Sequence, residues 1–423
     1  MSRYRALLAR PGALRVAVAC AAGWLSFSSY EFAIVLAVRA ETGSFSLAGG
    51  ASALFAIGSA ALAPARGRAV DRLGRRALVA LAGVHTVAMA ALAAASSLGW
   101  PRWSLLAAGV LAGAAAPPLI ATARACWPQV AGPDLARTAH ALNAALGDVA
   151  GVAGPAMTGA IAAAVSPLVA LWAVVPGPIL GVLLLGRGAP HAPAGSARPD
   201  RRLLGVLAGS AGLRTIVLSG CALGVTLGAL QVAAPAIAST TGPAGLGALP
   251  LSCLAASSAT ASLWAGSGRR WPAAARFTAG WLIVAAALLP CLAAGSLIPL
   301  TLLTLTAGTG LGLLTTALFE LLDQITGPGH SVEALTWLTS LQALGLAAGA
   351  AGTGQLAGHG ATTTLTLVAL PPLAGVALVL TRLATLRPAA NTGPASVTHQ
   401  PASGENRSPA QTDPRADPPA ARS

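Results

Sequence analysis

The stretch GRAVDRLGRR, residues 67–76, decides how the rest of the chain is divided. It separates two apolar runs, near 47–65 and 77–99, each about long enough to cross the roughly 30 Å hydrocarbon layer of a bilayer. A segment this rich in charge is too costly to bury in hydrocarbon, so we predict a loop at a membrane surface. Gly67 and Gly74 permit tight turns in that loop. An orientation signal needs only the arginines, so Asp71 indicates a further role.

The composition predicts an integral membrane protein. The chain has 423 residues, 55% hydrophobic and 9% charged, whereas a soluble domain carries about a quarter charged residues. The net charge of +14 comes from 26 basic residues, all of them arginine. Because most of these arginines form short clusters between apolar runs, we interpret them as topology signals and expect no nucleic-acid partner. The cysteines lack metal-ligand spacing, and neither a metal nor a cofactor is expected.

Polar segments divide the chain into twelve apolar runs, six on each side of an arginine- and proline-rich linker. The runs lie near 14–38, 47–65, 77–99, 103–123, 138–162, 166–186, 213–238, 245–267, 274–294, 298–322, 331–357 and 361–383. We therefore predict an all-α membrane protein whose twelve transmembrane helices form two pseudo-symmetric six-helix bundles. The predicted segments are an N-terminal segment 1–13, a first bundle 14–186, a linker 187–212, a second bundle 213–383 and a disordered tail 384–423.

The arginines predict the orientation of these spans. With a cytoplasmic N-terminus and alternating sides, 24 arginines fall on cytoplasmic segments and two, Arg39 and Arg102, on outer loops. This bias is what the positive-inside rule expects of twelve spans with both termini in the cytoplasm. We expect a multi-pass protein of the plasma membrane.

A repeated glycine pattern indicates that the two halves are related. The fifth run carries Gly147, Gly151 and Gly154, and the eleventh carries glycines at a constant offset of 198 residues. Duplicated bundles of this kind are typical of secondary transporters.

The segment 67–76 resembles the signature between the second and third helices of the major facilitator superfamily (MFS). The matching positions are Gly67, Asp71, Arg72, Gly74, Arg75 and Arg76. The resemblance extends over nearly the whole chain and implies the MFS fold, with two bundles that rock about a central site. It also implies that the segment is a gating loop, whose Asp and Arg pair with neighbouring helices in one conformation.

A second resemblance lies in the fifth run, where GDVAGVAGPAMTG, residues 147–159, is similar to the Gly-Pro signature of MFS exporters. Its matching positions are Gly151, Gly154, Pro155 and Gly159. This similarity implies an exporter-like, antiporting member. The absence of lysine, with abundant Ala, Gly and Pro, indicates a GC-rich genome, and the chain is expected to be an actinobacterial-type member. An arginine that such exporters carry within the fourth helix is missing. Pro117 and Pro118 predict a kink there instead.

Glu31 is a carboxylate in an otherwise apolar first run. It lies 16 residues after Arg15, about 24 Å along a helix. Trp24, Phe27 and Glu31 are spaced to share one helix face. We predict that all three line the substrate cavity and that Glu31 meets a cationic or hydrogen-bonding group. The alternative is an interfacial glutamate that reaches outward towards Arg39.

Asp148 lies ten residues into the fifth run, about 15 Å deep. A charge at that depth is rare and needs a reason. We predict that Asp148 carries the coupling proton, with Glu31 the second candidate. A hydrogen-bonded staple between helices is the alternative.

Asn143 and Gln231 are further candidates for the cavity. Gln231 suits a polar substrate and a hydrogen bond between helices equally well. His85 is expected to be packed and hydrogen-bonded.

These features favour a secondary transporter that exports a small amphiphilic molecule in exchange for protons by alternating access. The expected partners are the small-molecule substrate, protons and the lipid bilayer, and the protein is expected to be a monomer. An uptake permease, a sensor built on a transporter fold and a membrane enzyme acting on a lipid-linked substrate are the alternatives. The enzyme is disfavoured because its polar clusters of Asp, His or Glu are absent from the sequence.

Overall fold

A computed structural model describes residues 2–185, 210–265, 271–326 and 331–386. Most of the predicted linker 187–212 and of the predicted tail 384–423 lies outside these ranges. Within them, the second half begins slightly earlier than predicted, because Ser210 caps a helix that starts at Ala211. Residues Leu383–Leu386 form a short 3-10 turn.

The described residues form twelve long helical segments and no strands. We number them α1 Ala13–Thr42, α2 Phe45–Leu73, α3 Arg75–Ser97, α4 Arg102–Gly132, α5 Thr138–Ala164, α6 Pro167–Leu185, α7 Ala211–Ala238, α8 Ala244–Ala265, α9 Ala273–Ala293, α10 Leu297–Thr326, α11 Ser331–Leu356 and α12 Ala361–Thr381. By length and composition, eleven of them can cross a membrane. The twelfth, α11, has 26 residues and packs against α7 and α2.

Glycine contacts follow the predicted internal repeat. In the first half α5 packs on α1, and a Cβ at Gly154 would overlap the hydroxyl of Ser28. In the second half α11 packs on α7, and a Cβ at Gly349 would overlap the carbonyl oxygen of Val225. Small residues here let the helix backbones approach closely. The fifth and eleventh helices therefore have equivalent packing partners.

A second pair of helix contacts repeats in the same way. Gly113 of α4 lies against the backbone of Phe55 on α2, and Gly312 of α10 lies against the backbone of Ser258 on α8. In each half, therefore, the first helix packs on the fifth and the second helix packs on the fourth. This arrangement is the pseudo-symmetric, two-bundle fold that the sequence predicts.

The two halves meet mainly through α2 with α11, α5 with α8 and α1 with α7. We call the end that carries the α1–α2 and α7–α8 connections the distal end, and the end that carries the α2–α3 connection the proximal end. Gly49 near the start of α2 lies against Ala350 of α11, and Gly159 near the end of α5 lies against Gly245 of α8. These close approaches lie towards the distal end.

The segment 67–76 is not the loop predicted from its charge. Helix α2 continues to Leu73, so Gly67 is helical, and the chain turns only at Gly74, with a φ of 56°. Glycine is favoured there because a side chain at positive φ is strained. The charged residues continue the helix beyond its apolar part, since helical backbone hydrogen bonds need no hydrocarbon around them.

Candidate substrate cleft and the contact between the two halves

Glu31 and Gln231 join the two halves in the distal part of α1 and α7. The amide Nε2 of Gln231 donates a hydrogen bond to Oε2 of Glu31 at 2.7 Å. Glu31 does not reach outward to Arg39, whose guanidinium lies over the Phe45 ring, 4.7 Å from its centroid. The other amide atom, Oε1 of Gln231, is buried and has no hydrogen-bond partner among the described residues. The structure therefore brings together two predicted cavity residues that are 200 positions apart in sequence.

A cleft of about 370 Å³ opens between α1, α2 and α4. Its walls combine aromatic rings with two arginines, and the residues used below are Trp24, Phe27, Tyr30, Phe55, Arg66 and Arg124. The rings of Trp24 and Phe27 meet edge to face, with centroids 6.1 Å apart. Phe27 is 60% exposed. Two of the predicted cavity residues thus line the cleft, whereas Glu31 faces α7.

Helix α4 is broken where Pro117 and Pro118 predict a kink. Its first segment ends at Ala115 and its second begins at Leu119. Proline has no N–H to continue the helix, so carbonyl oxygens near the break lose their usual partners. Such groups must be bonded in another way when they are buried.

Arg66 supplies the hydrogen bonds that the break removes. Its Nη1 donates to the carbonyl oxygens of Gly113 and Ala116, both at 2.7 Å. Its Nη2 donates to the carbonyl oxygen of Ser59 at 2.6 Å. Arg66 is 8% exposed and lies within α2, whereas its sequence position predicts a loop arginine. The loop placement is wrong because α2 extends further than its apolar run.

Arg66 is a cleft residue that the sequence pattern does not single out. Two features of the sequence could have indicated it: Arg66 directly follows an apolar run, and the fourth run contains two adjacent prolines. The fourth run was also taken as ending before Arg124, whereas α4 continues to Gly132, where φ is 68°. Arg124 therefore lies within the helix and lines the cleft.

His85 lies behind the cleft in an aromatic cluster, as expected of a packed histidine. Its Nδ1 contacts the carbonyl oxygen of Ala112 at 2.8 Å, which requires the proton to be on Nδ1. The rings of Tyr30 and Phe55 pack around it, with centroids 5.0 Å and 6.4 Å from the His85 ring.

The two polar candidates on α5 have different surroundings. Asn143 is 3% exposed, and its Oδ1 accepts a hydrogen bond from Sγ of Cys20 at 2.9 Å. In this conformation it faces α1 and not the cleft. Asp148 is exposed and forms no hydrogen bond or ion pair within the described residues. It does not form the predicted alternative, a staple between helices.

The Gly-Pro segment of α5 is where this helix touches both α1 and α8. Gly154 lies against Ser28 and Ser29, and Gly159 lies against α8. Between them the helix passes through Pro155 without a break. Gly151 has more space, since a Cβ there would meet only Ala255, at 3.7 Å. The same segment thus contacts its own half and the opposite one.

The gating segment is exposed at the proximal end. Asp71, Arg72, Arg75 and Arg76 have exposed side chains and no hydrogen bond or ion pair within the described part of the chain. In the second half, by contrast, Arg276 of α9 pairs with Glu320 of α10. No group of three His, Cys, Asp or Glu side chains among the described residues is arranged to hold a metal ion.

Similar solved structures are transporters. A mutant of the nucleoside transporter NupG superposes with a TM-score of 0.70 at 13% identity, over 88% of this chain and 99% of that one. A bacterial homologue of the human lysosomal transporter Spinster, inward-facing and occupied, gives a TM-score of 0.63 at 15% identity, over 88% and 95%. The human organic anion transporter MFSD10 gives 0.60 at 16% identity, over 89% and 100%.

Identities this low establish a shared fold. A search of curated proteins finds no match. The sequence profile described as Major Facilitator Superfamily matches residues 16–350, most of the chain. Together with the paired helices of the two halves, this match shows that the chain belongs to the major facilitator superfamily.

Proposed function

We propose that this protein exports a small molecule by alternating access, in exchange for protons. The observation that carries the proposal is the asymmetry between the two ends. Helices of opposite halves approach closely near the distal end, at Gly49 and Gly159, while the cleft and the gating segment are accessible on the proximal side. Under the predicted topology the proximal end is cytoplasmic, so this conformation would receive substrate from the cell interior.

The Glu31–Gln231 hydrogen bond supports a gate in the distal half. It spans α1 and α7 at 2.7 Å, so the distal end cannot open unless this bond is lost. A hydrogen bond to a charged group is worth about 1.5–3 kcal/mol, an amount that substrate binding can offset.

The gating segment supports a latch that acts in the opposite conformation. Because Asp71 and its neighbouring arginines have no described partner here, they are free to pair when the proximal ends of the helices come together. The latch is thus released in the conformation in which the distal gate is formed. Alternation between these two sets of bonds is the proposed transport cycle.

Asp148 is the proposed proton carrier. It shares a helix face with Gly151, Pro155 and Gly159, the face directed at α8, and its carboxyl has no described partner. If its exposed face opens to the proximal side in the present conformation, its carboxyl would exchange a proton with water there. Closure of the proximal end would bury it, and an unpaired ionised carboxylate is costly to bury. Closure would therefore favour the protonated carboxyl and couple proton movement to the cycle.

Everted membrane vesicles containing the protein test the proposal. A panel of cationic, neutral and anionic compounds is offered with and without an imposed proton gradient, acidic inside. We expect at least one compound to accumulate only with the gradient. Asp148→Asn should abolish this uphill accumulation while downhill exchange persists, whereas Asp134→Asn, a second exposed acid, should not. Gradient-driven accumulation in right-side-out vesicles but not in everted ones would establish an uptake permease instead.

The orientation is tested separately with reporter fusions. We expect fusions at Gly99 and Gly295 to report an external location, and a fusion at Ser196, outside the described residues, to report the cytoplasm. Gly99 and Gly295 lie in turns with φ of 67° and 50°, so an insertion there interrupts no helix. An external Ser196 would overturn the proposed sidedness.

A further inference from the structure

The cleft beside α4 is lined by two positively charged side chains. Arg66 and Arg124 line it, and the described lining residues include no carboxylate. The bonds of Arg66 go to neutral carbonyl oxygens, which satisfy its donors but not its charge. The Nε atom of Arg66 is also buried, and no described residue accepts a hydrogen bond from it. A buried cation is expensive unless an anion accompanies it.

The break in α4 adds a second source of positive potential. The second segment of α4 begins at Leu119, and the N–H groups of Ile120 and Ala121 in its first turn have no acceptor among the described residues. Both residues line the cleft. Free N–H groups at a helix start carry partial positive charge and bind anions readily. In transporters, the starts of broken helices serve this purpose for anionic substrates.

Tyr30 supplies an independent indication of a ligand. It is 4% exposed and lines the cleft, and its hydroxyl group has no hydrogen-bond partner. Buried hydroxyl groups are normally bonded, so an unpartnered one beside a cleft calls for an explanation. A ligand with an acceptor oxygen would satisfy it.

The remaining wall of the cleft is aromatic. Trp24 and Phe27 meet edge to face, which leaves ring surface of the exposed Phe27 free. Flat ring systems stack well on such surfaces. Glu31 is the acidic residue of α1 that is close in sequence to these residues. Its carboxyl group accepts a hydrogen bond from Gln231 and faces α7, so it is not positioned to repel an anion in the cleft.

We propose that this cleft binds a planar aromatic anion, with its carboxylate or sulfonate group at the start of the second α4 segment. Arg124 and the free N–H groups bind the head group in the field of Arg66, and Trp24 and Phe27 hold the ring. The inference rests on the proposed transport function and names the substrate class for it. It replaces the expectation that Glu31 selects a cationic group.

Three compounds with one ring system and different head groups provide the test. Naphthoate, naphthalenemethanol and naphthalenemethylamine are titrated calorimetrically into the purified full-length protein in detergent. We expect naphthoate to bind at least about tenfold more tightly than the other two, the factor expected when one charge-assisted hydrogen bond is gained. Equal or tighter binding of the ammonium compound would overturn the proposal.

Matched variants identify the site. Arg124→Gln should weaken naphthoate binding about tenfold and leave naphthalenemethanol unchanged, whereas Arg102→Gln, on the same helix but at the distal end, should leave both unchanged. Trp24→Ala should weaken both compounds alike, because it removes a ring contact. Equal effects of Arg124→Gln and Arg102→Gln would place the anion elsewhere and refute the site.

This experiment is independent of transport because it measures binding at equilibrium without a gradient. Loss of head-group preference would refute the anion site while gradient-driven flux of other compounds remained intact. Conversely, tight and Arg124-dependent binding of naphthoate without any gradient-driven flux in vesicles would refute the transport proposal alone.

Discussion

The distal and proximal ends of this protein rely on different chemistry. At the distal end, helices from opposite halves meet backbone to backbone at Gly49 and Gly159. At the proximal end, the conspicuous residues are the exposed charges of the segment 67–76. Glycine contacts are short-ranged and depend on shape, whereas charged side chains are long and pair over several geometries. We infer that the distal closure is sensitive to single atoms and the proximal closure to charge.

The largest expected effect is therefore steric. In Gly49→Ala the new Cβ would overlap the carbonyl oxygen of Ala350 and approach Gly354. Overpacking of this kind costs about 1–3 kcal/mol, and we expect a lower melting temperature in detergent. Gly83→Ala is the control, because a Cβ there meets nothing within 4 Å. It should be neutral or slightly stabilising. Equal losses in the two variants would show that the distal contact is not specific.

The second expected effect concerns the bond that closes the distal half. Gln231→Leu leaves Glu31 without its described donor, at a cost of about 1–3 kcal/mol. We expect the distal end to open more often, measured in a variant without the native cysteines as faster labelling of a cysteine introduced at Ala350 on α11, which is buried against Gly49 of α2. Gln355→Leu, an exposed glutamine near the end of α11, should label at the unaltered rate. An unchanged labelling rate in Gln231→Leu would show that this hydrogen bond does not keep the distal end closed.

The smallest effect on stability is expected at the proximal end. Asp71→Asn changes an exposed side chain without a described partner, so the free energy of unfolding should change by less than about 0.5 kcal/mol. Transport should nevertheless fall, because the latch would lack its carboxylate when the proximal end closes. Glu41→Gln, an exposed acid at the distal end, should retain full transport. Wild-type transport in Asp71→Asn would reduce the segment to an orientation signal.

The fold was predictable because each membrane-spanning helix corresponds to a long apolar run in the sequence. The runs and the glycine repeat predict the helices and their pairing, since hydrophobic length and small residues act locally along each helix. The extents were less predictable. Helices α2 and α4 continue past their apolar parts, because backbone hydrogen bonding continues in water as well as in hydrocarbon.

The candidate site was predictable only in part. The apolar surroundings of Glu31 and Gln231 identify both as unusual, but their contact joins helices whose spacing no sequence pattern specifies. Asp148 and the gating segment remain predictions. Arg66 could not be identified because it binds backbone carbonyl oxygens of another helix. Every residue type carries a backbone carbonyl group, so no sequence pattern indicates which of them an arginine binds.

The unequal helix lengths have a consequence for the surrounding lipids. Helix α1 has 30 residues, about 45 Å along its axis, whereas α6, Pro167–Leu185, has 19, about 28 Å. A hydrocarbon layer of about 30 Å matches the shorter helix, so α1 must tilt or project beyond it. Each change of tilt then alters the hydrophobic mismatch at a cost that depends on bilayer thickness. The rate at which the halves exchange conformations should accordingly vary with acyl-chain length, which makes the membrane itself a determinant of turnover.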